Sequence, residues 1–155
     1  MIRKLSIALL CVALLLTAGC LKKKKESVVT ALSVDILATS NLNPDVNSRP
    51  SPVVVRLYQL KTPGKFEAAD FNSLYNNDAA TLGSDLIKRE EYILRPGELQ
   101  QYKNEPGDEA RYLGVVAAFR NIDSAGWKSQ VIIPQGQRSE IKVLLESLNV
   151  AIIKQ

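Results

Sequence analysis

The chain has no histidine, two cysteines, one methionine and one tryptophan in 155 residues. Without histidine, the usual Ser-His-Asp and Cys-His nucleophilic machinery is excluded. Two cysteines cannot build a disulfide scaffold, and no Cys/His cluster exists to hold a metal. No glycine-rich phosphate loop of the Walker or dinucleotide kind is present, so no cofactor is expected. Nor is there a run of about 20 apolar residues, the length a spanning helix needs. Aromatics are few, at five tyrosines, three phenylalanines and the single tryptophan. Most fall on expected strands or helices, which argues against an aromatic platform for a small ligand or a cell-wall glycan. A non-catalytic protein without a small-molecule substrate is the expectation.

What remains is an average globular composition, 46% hydrophobic and 23% charged. The first twenty residues stand apart. Arg3 and Lys4 precede an apolar run from Ile7 to Leu16, then the small residues Thr17, Ala18 and Gly19. This order of basic, apolar and small residues describes a secretory signal peptide over 1–19. Leu16-Thr17-Ala18-Gly19-Cys20 resembles a bacterial lipobox, with Thr17 where leucine is usual. The resemblance implies lipidation of Cys20 and cleavage before it. Cleavage also removes Cys11, so no disulfide within one chain is possible afterwards. Leu21, rather than aspartate, points by the same resemblance to the outer membrane of a Gram-negative cell, with the domain in the periplasm.

Residues 20–27 form a basic tether through Lys22, Lys23, Lys24 and Lys25. It acts either on anionic headgroups, at about 1 kcal/mol per charge, or as a solvated spacer. Removing Arg3 and Lys4 from the net charge of +4 leaves +2, mostly in the tether. No nucleic-acid partner is therefore expected.

Residues 28–155 read as one β-rich domain, a length that suits one core. Leu32, Val34 and Ile36 alternate with polar residues, the period of a half-buried strand. Val53 to Leu60 is rich in branched and aromatic residues. Tyr92 to Leu94 leads into the turn signal Arg95-Pro96-Gly97-Glu98. Leu113 to Phe119 is wholly apolar or glycine, as in a strand buried on both faces, and Gly114 implies a close neighbour. Trp127 to Ile133, Glu140 to Leu145 and Asn149 to Ile153 complete seven strands. Their shortness and spacing imply a two-sheet β-sandwich. Helical spacing over 65–76 predicts a helix between strands 2 and 3, and Ala79 to Lys88 predicts a second one capped by Asp78.

The connection from Thr39 to Pro52 holds three prolines and three asparagines, far beyond a tight hairpin's needs. Proline restricts φ and Asx side chains bond nearby backbone, so the loop is encoded as stiff. It serves either a partner, with little ordering cost, or only its own Ω-like packing. Arg49 has Asp45 within reach as an internal ion-pair partner. Trp127 reads as core filler, and Arg111 and Arg120 as solvated strand ends.

Asn43-Pro44-Asp45-Val46-Asn47-Ser48-Arg49-Pro50-Ser51-Pro52, followed by Val53 to Leu60, resembles the hallmark of the TssJ (SciN) family, the outer-membrane lipoproteins of type VI secretion systems. Ala69-Asp70-Phe71, Asp78-Ala79-Ala80, Leu94 to Glu98 and Ala110 to Arg120 extend the resemblance over most of 32–146. It implies a transthyretin-like sandwich with added helices. It implies docking to the periplasmic C-terminal domain of TssM, within a TssJ–TssL–TssM complex. The loop between strands 1 and 2 is the implied contact. Carried onto this chain, Asn43, Asp45, Asn47 and Arg49 are the expected exposed contacts, with Pro44 and Pro50 holding the shape. A periplasmic lipoprotein binding a small ligand or glycan is the alternative.

Overall fold

The computed structural model describes residues 29–154. The signal peptide, Cys20 and the tether lie outside them. Two four-stranded sheets pack face to face. The first is ordered β4-β1-β7-β8 and the second β3-β2-β5-β6, with strands numbered along the chain. The strands are β1 (Ala31–Ala38), β2 (Val53–Leu60), β3 (Leu86–Leu94), β4 (Leu99–Asn104), β5 (Tyr112–Ala117), β6 (Lys128–Ile132), β7 (Arg138–Glu146) and β8 (Asn149–Lys154). Only β1 and β7 pair in parallel; every other neighbouring pair is antiparallel.

Alternation drives the packing. Leu32, Val34, Ile36 and Ala38 of β1 point inward, with Ile141, Val143 and Leu145 of β7 beside them. Val53, Val55 and Leu57 of β2, with Leu113, Val115 and Ala117 of β5, close the core from the other sheet. β5 is buried on both faces, as its apolar run predicts. Its other face, Gly114 and Val116, lies under the helical insertion with Tyr58 and Leu60.

That insertion is two helices, α1 (Gly64–Ala68) and α2 (Phe71–Leu82). The expected helix 65–76 is broken between them. Asp70 caps α2 by accepting from the Ser73 backbone N–H at 2.9 Å and its hydroxyl at 2.7 Å. Phe66 of α1 sits against Gly114, where a built Cβ would lie 2.8 Å from the ring. Lys128 of β6 donates to the carbonyls of Phe66, Glu67 and Ala69, closing the end of α1 from below. Burial lowers its pKa.

Three expectations are corrected. The second helix stops at Leu82, because Gly83 takes φ +54 and ends it. Leu86 to Lys88 then start β3 rather than extend a helix. Asp78 is no cap; it is buried inside α2, where Asn77 departs from helical geometry. Its carboxylate takes Arg89 at 2.6 Å and the Tyr58 hydroxyl at 3.3 Å. Burial, ahead of its charged neighbours, pushes the Tyr58 phenol up to about 12. Finally, β4 is an eighth strand. Only Tyr102 of its six residues is buried, so its sequence carried no alternation to read.

Candidate functional site

The two ends of the sandwich differ. The described chain enters β1 at Ala31. Eight residues later, roughly 25 Å along the strand, it leaves into the loop 39–52. The turn from β3 to β4, the connection from β5 to β6 and the turn from β7 to β8 all gather at this second end, as the register requires.

The loop is anchored before it protrudes. Leu42 is fully buried in the core. Asn43 follows at φ +45, a left-handed conformation that asparagine tolerates better than most residues. Asn43 was expected among the exposed contacts, but it is 2% exposed. Its amide Nδ2 donates to the Pro52 carbonyl at 2.7 Å, and its Oδ1 accepts from the Arg120 backbone N–H at 2.8 Å. Its own backbone N–H donates to the Ser147 carbonyl at 2.7 Å. One side chain and its peptide therefore fasten three separate connections together.

Beyond Asn43 the tip closes on itself. The Asp45 N–H donates to the Arg49 carbonyl and the Ser48 N–H to the Asp45 carbonyl, both at 2.9 Å. The Asp45 carboxylate accepts the N–H groups of Asn47 at 2.8 Å and Arg49 at 2.9 Å. It also takes the Arg49 guanidinium through Nε and Nη2, each at 2.8 Å. The Arg49 backbone bond, with the other donors, holds the Asp45 carboxyl below the ordinary carboxylate value. The internal ion pair thus exists, and Asp45 is half-buried and committed to it. Asn47, Arg49 and Pro50 are exposed, and Pro44 is half-buried.

The sequence reading passed over Val46, which stands fully exposed at the tip. Its signal was available: it is the one aliphatic residue between Asn43 and Pro50. Asn121 and Leu148 also escape notice in the sequence, and Arg120, expected only as a solvated strand end, joins them. These line a depression of about 630 Å³ together with Pro44, Asp45, Val46, Asn47 and Arg49. Nothing local in the sequence puts Arg120 beside a loop some 75 residues away; the Asn43 bond does.

Residues 30–148 match the family model described as type VI secretion lipoprotein, with the names VasD, EvfM and TssJ. The chain belongs to this TssJ family. The T6SS lipoprotein TssJ1 from Pseudomonas aeruginosa is similar at 33% identity and a TM-score of 0.80, covering 82% of this chain and 97% of that one. Serratia marcescens Lip, a membrane-bound component of the type VI secretion system, shares the fold at 24% identity and a TM-score of 0.76, covering 83% and 99%. A chain of a structure described as the T6SS protein TssM C-terminal domain from EAEC is similar at 27% identity and a TM-score of 0.65, covering 79% and 99%. Comparison with curated proteins gives no match. The TssJ family membership and the mainly β sandwich with helices between β2 and β3 agree with the sequence reading.

Among the described residues no group of three or more His, Cys, Asp or Glu is placed for a metal, and no helix is long and apolar enough to cross a membrane. None of the nine aromatic side chains is exposed. Trp127 is half-buried, edge-on to Phe71 with ring centroids 5.4 Å apart, the core-filling role expected of it.

Proposed function

We propose that this TssJ-family lipoprotein is a non-catalytic tether. Lipid on Cys20 holds it to the outer membrane, the domain 28–155 sits in the periplasm, and the loop 43–50 docks the periplasmic C-terminal domain of TssM within a TssJ–TssL–TssM complex. The observation that carries the reading is the loop itself: a tip held in shape by the Asp45 carboxylate, which takes the Asn47 and Arg49 N–H groups and the Arg49 guanidinium, presented at the end of β1 away from Ala31. Such a preformed shape loses little entropy on binding. Similarity to a chain from the EAEC structure described by TssM supports the choice of partner. Lipidation with more than one acyl chain makes attachment durable, at about 0.8 kcal/mol per buried methylene.

The experiment measures affinity of the full chain, in detergent, for the TssM periplasmic domain. Replacing residues 44–50 by Gly/Ser while keeping Asn43 is expected to abolish binding and leave the melting transition in place. Unchanged affinity rejects the loop as the docking element. Cys20→Ser is expected to release the protein from membranes and stop secretion; normal secretion by that variant rejects the tether.

A further inference from the structure

We propose that what docks at this end is a carboxylate-bearing segment of the partner polypeptide with apolar residues beside the acid, seated in the depression between three connections rather than on the loop alone. The inference rests on the docking reading above and names the chemistry of what is recognised.

Pro44 and Val46 from the β1–β2 loop and Leu148 from the β7–β8 turn supply apolar surface. Arg49 and Arg120 supply the charge. Their only carboxylate neighbour in the depression is Asp45, and Asp45 is fully occupied. It holds two backbone N–H groups and both Arg49 contacts. Arg120 helps to keep Asp45 ionised but makes no ion pair among the described residues. Two guanidiniums against one carboxylate leave an unbalanced positive charge. Arg120 is exposed, and the Arg49 side chain remains 74% exposed despite its pair. Guanidinium groups bind carboxylates by paired hydrogen bonds, so an acid is the complementary group.

The depression is rigid because Asn43 bonds to the Arg120 and Ser147 peptides at once, while Leu148 and Val150 exchange bonds with Gly126. It also lies at the opposite end of β1 from Ala31, where the tether side of the chain enters. That placement favours a polypeptide reaching from elsewhere over the headgroups of the anchoring membrane.

The test uses the full chain in detergent and the TssM periplasmic domain, at low and at physiological salt. Arg120→Glu is the main variant, since its side chain is exposed and only its backbone is structural. Lys103→Glu, at the other end of β1, makes the same charge change away from the site. Arg120→Glu is expected to weaken binding about tenfold or more and to flatten its salt dependence, with Lys103→Glu within about twofold of the parent. Val46→Ser is expected to weaken binding about threefold. If the parent chain binds and Arg120→Glu changes affinity no more than Lys103→Glu, the inference is overturned and the docking reading stands. If the parent chain does not bind at all, both fall. Should Arg120→Glu instead lower retention on phosphatidylglycerol vesicles while keeping TssM affinity, the site is for lipid and the inference is likewise overturned.

Discussion

Asn43 shows how little of a residue's role its type reveals. Its place in a proline-rich loop suggested an exposed contact, yet its carboxamide is buried with both ends satisfied. Burial followed from Leu42 entering the core just before it, and one apolar residue in a polar loop is a weak signal. Losing a buried hydrogen-bonding side chain strands its partners, at about 1–3 kcal/mol. Asn43→Ala is therefore expected to destabilise the domain by about 2–3 kcal/mol in urea unfolding, far more than the exposed Asn47→Ala. Equal effects would show that the hub carries no load. Asp45 is likewise expected as an exposed contact, with its pairing to Arg49 as the alternative, and the structure takes the alternative: its carboxylate is half-buried and held by the loop's own donors. Its carboxyl is held low in the folded protein, so its contribution is complete above 3.8 and fades as pH falls through the depressed folded value. The backbone amide resonances of Asn47 and Arg49 are expected to titrate together with a midpoint below 3.8. A midpoint above that value, or no titration, contradicts the carboxylate bonds.

At the scale of elements, strands with strong alternation were legible and β4, one of four edge strands, was not. β1, β2, β5 and β7 each bury at least three alternating side chains. β4 buries one, and its pairing is dictated by β1 rather than by its own residues. The helix overrun into β3 has a similar cause. Leu82, Leu86 and Ile87 keep helical spacing, and only the backbone of Gly83 interrupts it. Gly114 is the opposite case, where a missing side chain predicted the close approach of another element and the Phe66 ring provides it. Gly114→Ala must displace that buried ring. Overpacking of this kind costs about 1–3 kcal/mol. The expected signature is a lower melting temperature that Phe66→Leu, with its smaller volume, partly restores. A neutral Gly114→Ala would mean that α1 rides loosely on β5. α2 has a firmer hold, since Arg56 bonds both Glu91 and the Tyr75 carbonyl at 2.6 Å and stacks 4.3 Å from the Tyr75 ring centroid.

For the whole molecule, strand direction sorts the connections by end. β7 runs parallel to β1 and β8 returns antiparallel, so Lys154 pairs beside Ile141, level with Val34 half-way along β1, with β8 running toward the Ala31 end. The described chain thus runs toward the Ala31 end where it stops, while Val46 marks the other end. No stretch of sequence announces this polarity, because it depends on β1 pairing in parallel with a strand a hundred residues later. It makes a prediction that the loop alone does not. A folded fluorescent domain fused after Gln155 adds bulk toward the end away from the proposed docking depression, so affinity for the TssM periplasmic domain is expected to stay within about twofold. The same domain inserted between Val46 and Asn47 covers the depression and is expected to eliminate binding, while circular dichroism still reports the β-sandwich. If the fusion after Gln155 blocked TssM as thoroughly as the insertion, the docking face would have to lie beside the tether. A chain held by lipid on Cys20, as proposed above, could not then present its binding surface away from that membrane.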